Sequence, residues 1–126
     1  MGTRCLTVFK NLQDKEIAVL YRQYDGYLSG HGLELANFLK NKKIVNGIQD
    51  ENKNLFNGME CLTAQVVEHF KTKPGGFYLY PTGTRNLWED YIYIVSGEIG
   101  KEPNIKVDSF EGAASEYQNW LDKQEN

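Results

Sequence analysis

Residues 55–71 carry the strongest periodic pattern in the sequence, and this pattern limits the folds open to the rest of the chain. Apolar side chains recur there at spacings of three and four residues, namely Leu55, Met59, Leu62, Val66 and Phe70. This spacing predicts an α-helix with one apolar stripe, ended by Pro74-Gly75-Gly76. A one-sided helix must bury its stripe against another layer of secondary structure.

The segments on both sides of this helix have the residue patterns of β-strands. Residues 3–10 and 16–23 are rich in β-forming residues and are separated by the polar Gln13-Asp14-Lys15, which predicts an opening hairpin. Beyond the helix we expect three more strands, at residues 77–80, 90–95 and 104–107. These strands provide the second layer.

Two further helices complete the predicted order. Residues 33–42 place Leu35 and Leu39 on one face, and the polar residues 46–54 are expected to form a loop. Asp108-Ser109-Phe110-Glu111 resembles a capping box that would start the last helix. The order ββ-αα-βββ-α predicts an α+β fold, an antiparallel sheet of about five strands with three helices on one face. A length of 126 residues predicts a single domain spanning residues 1–126.

The composition is that of a globular protein, with 40% hydrophobic and 25% charged residues. No apolar run approaches the roughly 18–20 residues that a membrane span needs, and the first residues lack the pattern of a secretion signal. The two cysteines, Cys5 and Cys61, form no CxxC motif, and the two histidines lie far apart in sequence. We therefore expect a cytoplasmic protein that binds no metal or cofactor and does not associate with membranes.

The charge balance narrows the possible partners. A net charge of −3 with a pI near 5.4 argues against general nucleic-acid binding, which normally needs a basic excess. A small anionic ligand remains compatible with this charge, because a local pocket needs only a few arginines and backbone N–H groups.

Residues 21–32, a polar and glycine-rich stretch between the second strand and the first helix, are the main candidate site. Backbone N–H groups near a helix N-terminus favour an anion, arginine adds a forked donor, and tyrosines offer flat faces to a ring. This combination suits a phosphorylated, nucleotide-like ligand. The candidate ligand-binding residues in this stretch are Arg22, Tyr24, Asp25, Tyr27, Ser29, Gly30, His31 and Gly32.

Other interpretations of this stretch stay open. The glycines also fit a strand-to-helix turn that needs them only for its geometry, with Ser29 as a helix cap. His31 is the best acid–base candidate, with Asp25 to orient it, but no nucleophile motif accompanies the pair. Two arginines outside the stretch are added as candidates: Arg85, in the loop Pro81-Thr82-Gly83-Thr84-Arg85, and Arg4, at the start of the first strand.

The string Tyr-Arg-Gln-Tyr-Asp-Gly-Tyr-Leu-Ser-Gly-His-Gly, with Gly2-Thr3-Arg4 ahead of it, resembles small proteins of bacteria, prophages and phages to which no activity is assigned. The similarity runs from the N-terminus to Tyr91-Ile92-Tyr93. It transfers no catalytic residues. A phage setting implies one class of function, a sponge that sequesters a nucleotide used as a bacterial defence signal, inside the host cell.

Three functions follow from these observations. The first is non-enzymatic binding of a small phosphorylated, nucleotide-like ligand. The second is a phosphodiesterase-like hydrolase that uses His31 and Asp25. The third is an inhibitor that binds another protein through a tyrosine-rich surface, to which the two tyrosine-rich strands, residues 77–80 and 91–94, contribute. These short apolar strands also predict a homo-oligomer.

Overall fold

The computed structural model describes residues 2–47 and 54–124. The described strands are β1 (Cys5–Lys10), β2 (Glu16–Arg22), β3 (Lys43–Val45), β4 (Leu55–Asn57), β5 (Phe77–Tyr80), β6 (Tyr91–Ser96), β7 (Asn104–Val107) and β8 (Phe110–Ala113). The α-helices are α1 (Leu33–Leu39), α2 (Gly58–Phe70) and α3 (Tyr117–Gln124). A π-helical turn, Leu28–Gly32, precedes α1, and a 3-10 turn, Ala114–Glu116, precedes α3. The α+β class with three helices is confirmed.

The main sheet is mixed, so the prediction of a purely antiparallel sheet of about five strands is wrong. Six strands lie in the order β5-β2-β1-β6-β7-β8, and β1 and β6 run parallel while the other neighbours are antiparallel. The reason is topological. The chain returns from α2 to the edge beside β2 and must then cross to the far side of β1. That crossing makes β6 parallel to β1.

The predicted opening hairpin is confirmed. Strands β1 and β2 pair with Val8 opposite Val19, and a register shift falls between Phe9 and Lys10. Asn11 organises the turn, because its side-chain oxygen accepts hydrogen bonds from the backbone N–H groups of Gln13 and Lys15 at 2.9 and 3.0 Å.

The two faces of the sheet bury different partners. On one face, side chains such as Phe9 and Tyr93 pack in a core that includes residues of all three helices. On the other face, Leu6, Val8 and Val19 are fully buried in a smaller cluster. The loop after β5 contributes Leu87 to that cluster. Helices therefore cover one face of the sheet, and a loop covers part of the other.

The predicted start of the second helix and the predicted end of the first are wrong. Residues 55–57 form β4, which pairs with β3 in a second, two-stranded sheet, and α2 begins only at Gly58, whose φ is +82°. Fully buried Phe56 lies opposite Ile44 in that pair. Burial in this small sheet outweighs the helical spacing of Leu55. The predicted first helix likewise ends earlier than expected, at Leu39. Most of the expected loop at residues 46–54 lies outside the described residues.

The predicted capping box at Asp108 is a β-turn instead. Asp108 has a φ of +51°, and β8 follows it as the antiparallel partner of β7. The glutamate that acts as a cap is Glu116, whose Oε1 accepts the N–H of Ala113 at 3.0 Å. Phe110, Tyr117 and Leu121 all reach the core, although only the last two belong to α3. Among the described residues, no helix is long and apolar enough to cross a bilayer.

Candidate functional site

The glycine-rich stretch folds tightly against the first strand. The Gly26 N–H donates to the Thr3 carbonyl at 2.8 Å, and the Tyr93 hydroxyl donates to the Gly26 carbonyl at 2.8 Å. A Cβ on Gly26 would lie 2.9 Å from backbone atoms of Arg4 and Cys5, a distance that side chains do not tolerate. Glycine is therefore required at this position for the close approach of two backbones.

The backbone N–H groups that were expected to hold a phosphate are engaged within the chain. Those of Gly30 and Gly32 point to the Tyr27 carbonyl at 2.9 and 3.4 Å, and that of His31 donates to the Asp25 carbonyl at 2.8 Å. These bonds form the π-helical turn that leads into α1. The interpretation that the glycines serve turn geometry describes this segment better than an anion cradle does.

His31 is a buried structural residue in this fold. Its ring is fully buried, with Nε2 2.7 Å from Thr7 Oγ1 and Nδ1 3.3 Å from Arg22 Nη1. Because a guanidinium only donates, Nδ1 must accept, so the proton lies on Nε2 and is donated to Thr7. The ring also stacks on Phe70 with centroids 4.9 Å apart. Burial, and then the charge of Arg22, lower the pKa of His31 from 6.5 to about 3. The imidazole is therefore neutral at physiological pH.

The predicted pairing of Asp25 with the His31 ring is not formed. The Asp25 carboxylate lies 3.9 Å from Arg22 Nη2, and the hydrogen bond between Asp25 and His31 joins backbone atoms. A fully buried imidazole with both nitrogens engaged has no path to a substrate. The arrangement gives no support to the hydrolase hypothesis.

Arg22 connects the interior to the surface. Its Nη1 donates to Glu34 Oε2 at 2.6 Å, and its guanidinium carbon lies 4.9 Å from the centre of the Phe77 ring. The side chain is only 11% exposed. Because the ion pair and the aromatic contact fix the guanidinium, it needs little reordering to meet a ligand.

One face of Arg22 borders a cleft of about 220 Å³, here called the Arg22 cleft. Arg22, Tyr24, Asp25, Phe70, Lys73 and Phe77 are among the residues that line it. Tyr24 is 55% exposed at its rim. The cleft thus combines two cations, an exposed ring and an apolar wall.

The remaining predicted site residues lie elsewhere. Tyr27 and Ser29 are exposed but do not line the cleft. Arg85 pairs with Glu16 at 2.7 Å and lowers the pKa of that carboxyl by hydrogen bonding. Glu16 and Arg22 are the two ends of β2, so Arg85 lies roughly 20 Å from the cleft along the strand.

The backbone of Arg4 is joined to Asp90 by hydrogen bonds of 2.8 and 3.1 Å. Its buried Nε has no hydrogen-bond partner among the described residues.

Sequence reasoning missed Lys73, Phe70 and Phe77 as site residues. Phe77 lies beside Arg22 because β5 pairs with β2 and sets these two residues opposite each other. The Arg22 guanidinium carbon is 5.7 Å from the centre of the Phe70 ring, and Lys73 lines the same cleft. The glycine turn before residues 77–80 was visible in the sequence, but the strand beside which that segment would lie was not. Among residues 2–47 and 54–124, no cluster of three or more His, Cys, Asp or Glu side chains is arranged to bind a metal ion.

Comparison with protein-family models, with curated proteins and with solved structures finds no match for this chain.

Proposed function

We propose that this protein binds a small phosphorylated, nucleotide-like ligand in the Arg22 cleft without turning it over. The observation that supports this best is the fixed guanidinium of Arg22 at the wall of the cleft, with Lys73 and the exposed ring of Tyr24 around it. Arginine and lysine attract phosphate, and an exposed aromatic ring stacks on a base.

Arg22 keeps donor capacity for such a ligand. Within residues 2–47 and 54–124, its Nη1 is engaged by Glu34 and His31, whereas Nη2 has only the Asp25 carboxylate at 3.9 Å, beyond hydrogen-bonding distance. Asp25 is exposed and has a φ of +64°. A phosphate oxygen that displaces this weak pairing gains a charge-assisted hydrogen bond.

The size of the cleft restricts the part of the ligand that it encloses. Its volume of about 220 Å³ is below the roughly 300–1,000 Å³ of sites that bury a whole drug-sized molecule. A phosphate with one adjoining ring fits this description. The rest of a larger nucleotide would extend into solvent, over Tyr24.

The test compares binding of mononucleotides, cyclic nucleotides, ADP-ribose compounds and inorganic phosphate by titration calorimetry. Tyr24→Ala is expected to weaken the best ligand by about 5- to 150-fold, the range that loss of one base-stacking ring gives. Lys73→Ala should weaken it less and reduce its salt dependence. Tyr27→Ala is the matched control, a neighbouring exposed tyrosine outside the cleft, and should leave the affinity unchanged.

Two results would contradict this proposal. One is the absence of binding across the whole panel at about 1 mM ligand. The other is equal loss of affinity in Tyr24→Ala and Tyr27→Ala. Chromatography of the ligand recovered after denaturation distinguishes binding from hydrolysis, since a sequestering protein returns it intact.

A second candidate function, inhibition of another protein through an aromatic surface, is favoured by Trp88. This side chain is 83% exposed, and its backbone holds the left-handed φ of +64° that bulky residues rarely adopt. Exposed tryptophans often dominate the energy of protein interfaces. A stoichiometric host protein retained by the wild type and lost with Trp88→Ala would favour this function over ligand binding.

A further inference from the structure

Strand β5 is one edge of the six-stranded sheet, and it is unusually apolar for an edge. Its sequence, Phe-Tyr-Leu-Tyr, contains no charged residue. Leu79 is 61% exposed on the face that carries the helices, and Tyr78 is 44% exposed on the other face. Proteins usually protect such edges with charges, prolines or a covering segment, because an open edge pairs with other strands.

The pairing with β2 determines which backbone groups of β5 face outward. The Gln23 N–H donates to the Gly76 carbonyl at 2.9 Å, and these two residues lie opposite each other just beyond the paired ends. Because bonded pairs alternate in an antiparallel ladder, Tyr78 and Tyr80 also direct their amides to β2. The amides of Phe77 and Leu79 therefore point away from the sheet.

A side-chain contact supports this assignment independently. Lys71, at the end of α2, lies beyond the edge and donates from Nζ to the Phe77 carbonyl at 2.9 Å and to the Gly75 carbonyl at 3.1 Å. Its ammonium is also 5.6 Å from the centre of the Tyr78 ring. Lys71 can reach the Phe77 carbonyl only because that carbonyl points outward.

We propose that β5 pairs with β5 of a second copy of this chain, antiparallel, about a two-fold axis at Tyr78. In this register, the outward N–H and C=O of Phe77 pair with those of the partner's Leu79, and the symmetric pair repeats the exchange. The Phe77 carbonyl, which already accepts from Lys71, uses its second lone pair for this bond. The edge is thus self-complementary in donors and acceptors, the requirement for a two-fold interface. The exposed Leu79 side chain packs beside Phe77 of the other copy, and the two Tyr78 rings meet on the opposite face.

The pairing also bears on the proposed ligand site. A two-fold axis perpendicular to the sheet keeps both Arg22 clefts on the same face, with the two Arg22 residues on the order of 15 Å apart across three inter-strand spacings. Two adjacent small clefts bind a ligand with two phosphates better than a single cleft does. This consequence rests on the proposed function, whereas the dimer itself needs no ligand.

Sedimentation equilibrium of the full chain at about 1–200 µM tests the pairing. We expect the wild type to dimerise within this range. Leu79→Lys should remain monomeric, because it places a charge at the edge. Ile99→Lys, the same change at another exposed apolar side chain, should dimerise like the wild type. Lys71→Met should tighten the dimer by about tenfold by removing the cation that occupies the Phe77 carbonyl.

Proline substitutions test the outward-pointing and the inward-pointing backbone N–H groups of β5 separately. Leu79→Pro removes a donor that β2 does not use, so it should abolish dimerisation and lower the melting temperature less than Tyr78→Pro, which breaks the ladder. A wild type that stays monomeric throughout, or a Leu79→Lys variant that dimerises as well as the wild type, would overturn the inference. Tyr24→Ala should change only ligand binding, and Leu79→Lys should change only dimerisation. Sedimentation and calorimetry of these two variants therefore show which of the two proposals fails.

Discussion

Acidification from neutral pH to pH 4.5 is expected to lower the free energy of unfolding by about 1.4 kcal/mol for each pH unit below 6.5, because the folded protein prevents His31 from taking up a proton. The pKa of His31 is 6.5 in the unfolded chain and about 3 in the folded one. Between these values the unfolded state binds the extra proton. The stabilisation is therefore complete above pH 6.5 and is lost as the pH falls toward 3.

The local contacts explain why the proton is excluded. Protonation would put a hydrogen on Nδ1, which faces the Arg22 guanidinium at 3.3 Å, and a second charge inside a fully buried site. Phe70 and Tyr93 cover the ring, with centroids 4.9 and 5.0 Å away, so no water can solvate an imidazolium. Glu34 is the nearest anion in this network, and it already pairs with Arg22.

Urea unfolding at about half-unit steps from pH 7.5 to pH 4.5 measures this dependence. His31→Gln keeps polar atoms in the site but does not titrate, so its stability should vary much less over this range. His69→Gln removes the exposed histidine and should keep the wild-type slope. The NMR signal of the His31 ring should not titrate above pH 4. A wild-type profile that is flat in this range, or a His31→Gln slope equal to the wild-type slope, would refute the assignment.

The sequence allowed the local parts of this fold to be predicted, because each rests on a pattern within one segment. Residues 3–10 were predicted to form a strand from their β-forming residues, and Cys5, Thr7 and Phe9 of that strand are all buried. The parallel pairing of β1 with β6 joins residues more than 80 positions apart, such as Cys5 and Tyr91, and no local pattern contains that information. Such pairing is decided by the packing of the whole chain.

The same distinction explains the outcome at the candidate site. Arg22, Tyr24 and Asp25 were predicted because an arginine and tyrosines beside a glycine turn are unusual within a short segment. His31 was expected to contact a ligand or to act as an acid or base, since nothing in residues 21–32 shows that Thr7 of β1 contacts its ring. Histidine and glycine in a polar stretch fit a surface loop and a tightly packed turn equally well. Only the tertiary contacts of the segment distinguish the two structures.

Gly32→Ala is expected to destabilise the protein by about 3 kcal/mol, although helix propensity alone favours alanine. The backbone of Gly32 is already helical, with φ −57° and ψ −47°, so an alanine at a spacious position there would stabilise. Here a Cβ would overlap the Tyr117 hydroxyl and lie 2.9 Å from the rings of Tyr117 and Tyr93. Both rings are fully buried and have no space to retreat.

The overlap of a Cβ at position 32 with the Tyr117 hydroxyl also disrupts a hydrogen bond. The Tyr117 hydroxyl donates to the Leu28 carbonyl at 2.7 Å and so fixes α3 to the start of the π-helical turn. A ring pushed aside by the new methyl group loses this bond, which is worth about 1 kcal/mol. Steric strain and the lost bond add together, and a fall in melting temperature of about 10 °C is expected for a chain of this length.

A double-mutant cycle with Tyr117→Phe identifies the cause. Tyr117→Phe alone should cost about 1 kcal/mol through the lost hydrogen bond, and it removes the atom that overlaps most with the new methyl group. The cost of Gly32→Ala should therefore be smaller by at least about 1 kcal/mol in the Tyr117→Phe background than in the wild type. Ser29→Ala, an exposed substitution in the same turn, should change stability by less than about 0.5 kcal/mol.

Additive costs of Gly32→Ala and Tyr117→Phe would show that Tyr117 does not limit the size of the side chain at position 32. A Gly32→Ala protein as stable as the wild type would show that the turn is loosely packed. Water could then reach the ring of the adjacent His31.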